Sequence, residues 1–167
     1  MTTPHETADK LEIAEQLAKY ARAMDRIDHE LGYAVWHPDG TARYGAMFEG
    51  TGRAFIDWVC GTHSQMIAHV HRISNILIVL DGDRAASEAY VNAVLRFEQD
   101  GVLRQGNVHG RYIDSWSRRE GLWAIDHREY VQDIDELVTA GTPLVGAFGG
   151  RRDRADLSYA VFADLKR

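Results

Sequence analysis

Asp25 stands near the end of a stretch in which Leu11, Ala14, Leu17, Ala18, Ala21 and Met24 recur at three- and four-residue steps, the spacing of an amphipathic helix. A carboxylate at a helix C-terminus meets the negative end of the macrodipole, so another group must hold it there. A histidine across a cavity would do so economically. The carboxylate fixes the imidazole tautomer and stabilises its cation, which readies the other ring nitrogen to take a proton. Tyr20, five residues before Asp25, reaches the same end of such a cavity.

The histidines come later, where the apolar period drops from 3.6 to 2. Alternation puts His69, His71, Ile73, Asn75 and Leu77 on one side of a strand. A further run sets Leu103, Gln105, Asn107, His109, Arg111 and Ile113 against Val108, Tyr112 and Trp116. The last sets Asp126, Arg128 and Tyr130 against Trp123, Ile125, His127 and Val131. A face mixing histidine, asparagine, arginine and aliphatic residues suits a polar-tipped pocket more than a plain core. Plainer roles stand beside these. His71 can be a core histidine on a carbonyl, Asp25 can pair with Arg22 or Arg26, and Arg128 can bridge Asp126 or Asp114. Tyr20 can be helix core, and Asn75 can serve a strand bend. His69 and His71 also share a face as a metal pair would, but no carboxylate follows before Asp81, so no metal is expected.

The elements that position these groups follow from the same periodicities. A helix is expected over Thr7–Met24 and a shorter one over Ile27–Trp36, ended by a turn at His37-Pro38-Asp39-Gly40. Thr41–Tyr44 reads as a short strand. Gly50-Thr51-Gly52 opens a third helix, with Thr51 as its cap and Phe55, Val59 and Met66 on its apolar side. Strands follow over His69–Leu80, Arg84–Gln99, Val102–Arg118 and Leu122–Asp133, separated by Asp81-Gly82, Asp100-Gly101 and Glu120-Gly121, short turns that join antiparallel neighbours. A short helix is expected over Asp156–Leu165. Helices first and a meander afterwards imply an α+β fold with the helices on one face of a curved antiparallel sheet.

The 167 residues, 45% hydrophobic and 26% charged, fit one globular domain. A net charge of −6 without a basic stripe argues against a nucleic-acid partner, and no run approaches the length of a membrane helix. The single cysteine, Cys60, excludes an internal disulfide and a cysteine-based zinc site. No secretory leader opens the sequence, so a cytoplasmic location is the expectation. No dinucleotide, P-loop or nucleophile-elbow motif is present, and no cofactor is expected.

Tyr20-Ala-Arg-Ala-Met-Asp25-Arg-Ile-Asp28, the helix after Gly50, the His71-x-x-x-Asn75 strand and Gly110-Arg-Tyr112…Trp116…Gly121-x-Trp123 resemble the SnoaL-like branch of the NTF2-like superfamily. That branch includes scytalone dehydratase, a hexachlorocyclohexane dehydrochlorinase and bile-acid 7α-dehydratase, with ketosteroid isomerase more distant. The resemblance covers about residues 8–135 and leaves 136–167 as a C-terminal extension. It implies a cone-shaped α+β fold around a deep apolar pocket. It also implies catalytic roles for His71, Asp25 and Tyr20, with His109 and Arg128 as further pocket groups beside Asn75 and Tyr130.

Three functions of different class follow. One is a cofactor-free lyase or isomerase acting on an apolar cyclic substrate, with His71 as general base. Another is a binding or assembly module like the β subunit of ring-hydroxylating dioxygenases. The third is a noncatalytic carrier of a small apolar, aromatic or polycyclic ligand. With the helices covering only the concave side, Val108, Tyr112 and Trp116, with Trp123 and Val131 on the neighbouring strand, fall on an apolar outer face that needs cover, and a homodimer or homotrimer is expected on that ground.

Overall fold

A computed structural model describes residues 3–141 and 149–165. Helix α1 (Pro4–Arg26) begins earlier than the apolar stripe suggests. Thr3 caps it, its hydroxyl accepting from the Glu6 amide while the Glu6 carboxylate accepts from the Thr3 amide, a reciprocal box with proline in the first turn. Its inner stripe is Asp9, Ile13, Leu17, Tyr20, Ala23 and Met24. Ile27, in the left-handed region at φ 51°, closes the helix. Helix α2 (His29–Tyr33) is shorter than the expected 27–36, because Asp28 caps it and Trp36 already belongs to a strand.

The expected turn at His37–Gly40 is strand instead. It forms the irregular part of β1 (Trp36–Tyr44), whose pairing with the last strand slips between Trp36 and Thr41. Pro38, which has no amide to donate, falls in the slipped stretch. Gly40 passes so close that a Cβ there would lie 2.6 Å from the Ile125 carbonyl oxygen. His37 donates through Nε2 to the Ser117 carbonyl at 3.0 Å, which satisfies its buried ring.

Strand β2 (Phe48–Thr51) leads into α3 (Gly52–Ser64), capped by Thr51 as expected. Four long strands follow: β3 (Ala68–Asp81), β4 (Arg84–Gln99), β5 (Val102–Arg119) and β6 (Leu122–Thr139). They confirm the expected meander and extend it by a few residues at the ends. The sheet order is β2-β1-β6-β5-β4-β3, antiparallel except where β1 runs parallel to β6. It is curved and unclosed, with the N-terminal helices packed on one face. Helix α4 (Leu157–Asp164), capped by Asp156, lies beside α1: the Arg22 guanidinium sits 4.6 Å from the Tyr159 ring centroid. The extension expected over 136–167 is thus described except for 142–148 and the final two residues.

Which side of the sheet faces the helices corrects part of the sequence reading. On β5 the inner side carries Val108, Tyr112 and Trp116, with Tyr112 and Trp116 buried, so these residues leave no wet face to cover. His109, on the other side of β5, is exposed. On β6 a register slip opposite Ser115 and Trp116 inserts one residue, which brings Trp123, Ile125, Arg128 and Tyr130 onto the inner side together. Another slip in β3 between Ser74 and Leu77 turns Leu77 outward and buries Ile78. Asn75 sits in that slip at φ 48°, exposed, at a strand bend.

Candidate active site

The capped end of α1 brings Asp25 against β3. Its carboxylate is gripped at three points. The His71 backbone amide donates to Oδ1 at 2.9 Å and Oδ2 at 3.2 Å, and His71 Nδ1 lies 2.8 Å from Oδ1. These bonds supply the holding group that a carboxylate at a helix C-terminus needs. They also orient the imidazole: with Nδ1 committed to Asp25, Nε2 is the nitrogen available for chemistry.

His71 lines a cavity of about 280 Å³ between the sheet and α3. Val91, Ala93 and Leu95 of β4 and Val108 of β5 form its apolar wall. Phe55 and Val59 of α3 form the opposite wall, and the part-exposed Met47 and Trp58 stand at its mouth. A mostly apolar cavity with few polar groups is the usual form of a small-molecule site.

Its floor is made of tyrosines. The Tyr20 and Tyr44 hydroxyls are 3.0 Å apart. Tyr20 meets Tyr112 edge-on at 5.5 Å, and Tyr44 stacks on Tyr130 at 5.1 Å. Gly110 makes room for this: a Cβ there would lie 2.4 Å from the Val131 carbonyl oxygen and 2.7 Å from the Tyr130 ring. Burial raises the pKa of Tyr20, and burial with the neighbouring phenols raises those of Tyr44 and Tyr112 well above the ordinary tyrosine value. Tyr130 is pushed up to about 12 by burial and by Asp133. These phenols therefore stay protonated and act as hydrogen-bond donors, not as bases.

Arg128 lies behind that floor and does not line the cavity. It is fully buried and bound bidentately to Asp114, Nε to Oδ1 and Nη2 to Oδ2, both at 2.7 Å. Its guanidinium lies 4.2 Å from the Tyr20 ring centroid and 4.0 Å from that of Tyr112. The charge thus packs against the faces of both tyrosine rings.

Of the residues expected to share one cavity, Tyr20, His71 and Tyr130 do line it, and Asp25 stands directly behind His71. His109 does not, since it faces the opposite side of β5 and meets Asn92 there. Asn75 is not among the lining residues either. Sequence reasoning missed Tyr44, Tyr112 and His63. Alternation alone puts Tyr112 on the face opposite His109, outside the expected pocket. His63 was visible as the residue four steps beyond Val59 and eight beyond Phe55, on the same face of α3. Among the described residues no group of three His, Cys, Asp or Glu is arranged to hold a metal.

The SnoaL-like domain model matches residues 5–129, and the chain belongs to that family. No protein of curated function matches it. A candidate scytalone dehydratase from Novosphingobium aromaticivorans is 21% identical, with 86% of this chain and 95% of that one covered at a TM-score of 0.69. Hexachlorocyclohexane dehydrochlorinase LinA-type3 from Novosphingobium barchaimii LL02 is 12% identical over 84% of this chain and 97% of that one, at a TM-score of 0.74. The Kfla4162 protein of Kribbella flavida is 20% identical over 78% and 94%, at 0.70. At these identities the likeness establishes the cystatin-like α+β fold. No described helix is long and apolar enough to cross a membrane.

Proposed function

We propose that this protein is a cofactor-independent lyase or isomerase acting on a small, apolar cyclic substrate by proton removal. The observation that carries this reading is the three-point grip of Asp25 on His71, with the imidazole lining an apolar cavity. His71 Nε2 takes a proton from carbon or from a hydroxyl. Asp25 keeps the ring in the Nδ1–H tautomer and stabilises the imidazolium that forms. The paired hydroxyls of Tyr20 and Tyr44 supply a donor for a substrate oxygen as charge builds there, in surroundings dry enough to strengthen the bond. Arg128 positions the Tyr20 and Tyr112 rings. The names of the N. aromaticivorans and N. barchaimii neighbours describe eliminations, of water and of hydrogen chloride, and support chemistry of this kind.

Hydrogen–deuterium exchange tests it without the natural substrate. 2-Tetralone is a fused-ring ketone with acidic protons beside its carbonyl, and their exchange in deuterated water is followed by proton NMR. Wild-type protein should exchange them at least about 10²-fold faster than His71→Gln, the typical size of a general-base contribution. Equal rates would leave the noncatalytic binding or assembly module as the better reading.

A second copy of the chain remains part of the proposal on different ground from the inner sheet face. Leu77 and Val79 project at 64% and 63% exposure from β3, an edge strand of the sheet. An open edge with apolar side chains is a surface that proteins cover. Light scattering at tens of micromolar should give a homodimer or homotrimer mass, and a monomer mass would remove this part of the proposal.

A further inference from the structure

Three imidazoles meet at the inner end of the cavity, and two are accounted for. His71 is bound to Asp25. His69 donates through Nε2 to the Met24 carbonyl at 2.9 Å, and Arg152 Nη1 approaches its Nδ1 at 3.4 Å. The third, His63, lines the cavity from the last turn of α3. Its ring centroid is 4.4 Å from that of His69 and 5.3 Å from that of His71. It is only 5% exposed, yet neither ring nitrogen has a hydrogen-bond partner among the described residues, and Nδ1 is wholly buried. A buried polar group without a partner is costly and calls for an explanation.

The surroundings decide which nitrogen carries the proton. With no acceptor near Nδ1 among the described residues, a proton there would be stranded, so the neutral ring keeps its proton on Nε2, the nitrogen that is not wholly buried. The ring also stays neutral. Burial, the neighbouring His71 and His69 rings and Arg152 push the His63 imidazole down to about 3. Arg152 further holds this turn in place by donating to the His63 carbonyl at 2.8 Å. His63 therefore offers one uncharged N–H donor next to the ring that would act as base. Apart from Gln132 and Thr62, whose hydroxyl is already given to the Trp58 carbonyl at 3.0 Å, the other lining residues are apolar side chains and the tyrosines.

We propose that His63 sets the specificity of the cavity by donating a hydrogen bond to a ring oxygen substituent, hydroxyl or carbonyl, of the ligand. The cavity thereby selects oxygenated ring compounds over bare hydrocarbons. This rests on the reading that the cavity takes an apolar cyclic ligand, and it names the polar group which that ligand carries beside His71. A donor left unpaired by a ligand lacking the oxygen accounts for the selection.

A matched pair of fluorescent probes tests this by equilibrium titration of the full chain: 2-naphthol, with the hydroxyl, and naphthalene, without it. Wild-type protein should bind 2-naphthol at least about tenfold tighter than naphthalene, the factor one buried hydrogen bond provides. His63→Phe should keep its affinity for naphthalene and lose the preference, and His63→Gln, whose amide N–H falls near the position of Nε2, should recover part of it. Should His63→Phe fail to fold, nitrogen-15 NMR of the histidine rings in the wild type gives the answer, because the His63 Nε2–H signal should move with 2-naphthol and stay still with naphthalene. An unchanged naphthol preference in His63→Phe, no preference in the wild type, or an unmoved His63 signal would overturn the proposal. Equilibrium binding transfers no proton, so an inert His71 would leave these outcomes intact and fail only in the exchange of 2-tetralone.

Discussion

Asp25→Asn should slow 2-tetralone exchange by about 10² or more, close to the loss in His71→Gln, and the double variant should be little worse than either alone. The reason is the shape of the grip. Asp25 Oδ1 and Oδ2 accept from the His71 amide, and Oδ1 also accepts from the ring, so every contact needs an acceptor. An asparagine offers one oxygen and one N–H₂. Its amide nitrogen must then face either the backbone N–H or the ring, and the tautomer with a bare Nε2 loses its support. Groups that act as one unit cannot be disabled twice, which is why the losses should not multiply. Rates that multiply to about 10⁴ in the double variant would mean that Asp25 and His71 act independently.

Arg128→Met should destabilise the fold by about 3–5 kcal/mol, because it leaves the Asp114 carboxylate, 2% exposed, without its cation. For a chain of this size that lowers the Tm by roughly 10 °C. Asp114→Asn should do comparable harm by stranding a guanidinium that is fully buried between Tyr20 and Tyr112. Combining Arg128→Met with Asp114→Leu removes both charges and should recover most of the loss, since a buried pair is worth little over apolar packing. Urea unfolding of the three proteins measures this. A single variant within 1 kcal/mol of wild type would mean that water already reaches the pair.

Much of this arrangement was legible before any coordinates. The stripe on α1, the Thr51 cap, the long strands and the turns at Asp100-Gly101 and Glu120-Gly121 are written in local periodicity and in residues that tolerate positive φ, here 53° and 74° at the first turn and 53° and 81° at the second. Asp25 was suspect because a helix end repels it, and its partner followed from the family resemblance. Alternation, however, says which residues share a side and not which side faces in. Alternation therefore puts His109 in the pocket and Tyr112 outside it, the reverse of what the fold does. A one-residue slip is invisible to period-2 reasoning, and the slips beside Asn75 and Asp126 reverse the faces of β3 and β6. The parallel pairing of β1 with β6 depends on contacts nearly ninety residues apart, as between Thr41 and His127, and local signals at Pro38 and Gly40 favoured a turn. His63 stayed hidden because a histidine on an apolar helix face reads as core.

In the proposed mechanism Asp25 fixes His71 with Nδ1 protonated and Nε2 bare toward the cavity. Long-range nitrogen-15 to proton correlation NMR of the histidine-labelled protein reads that tautomer directly. In the neutral His71 ring Nδ1 should be protonated and Nε2 unprotonated, with the preference lost in Asp25→Asn. A neutral His71 with its proton on Nε2 in the wild type would contradict it, because no base would then face the substrate.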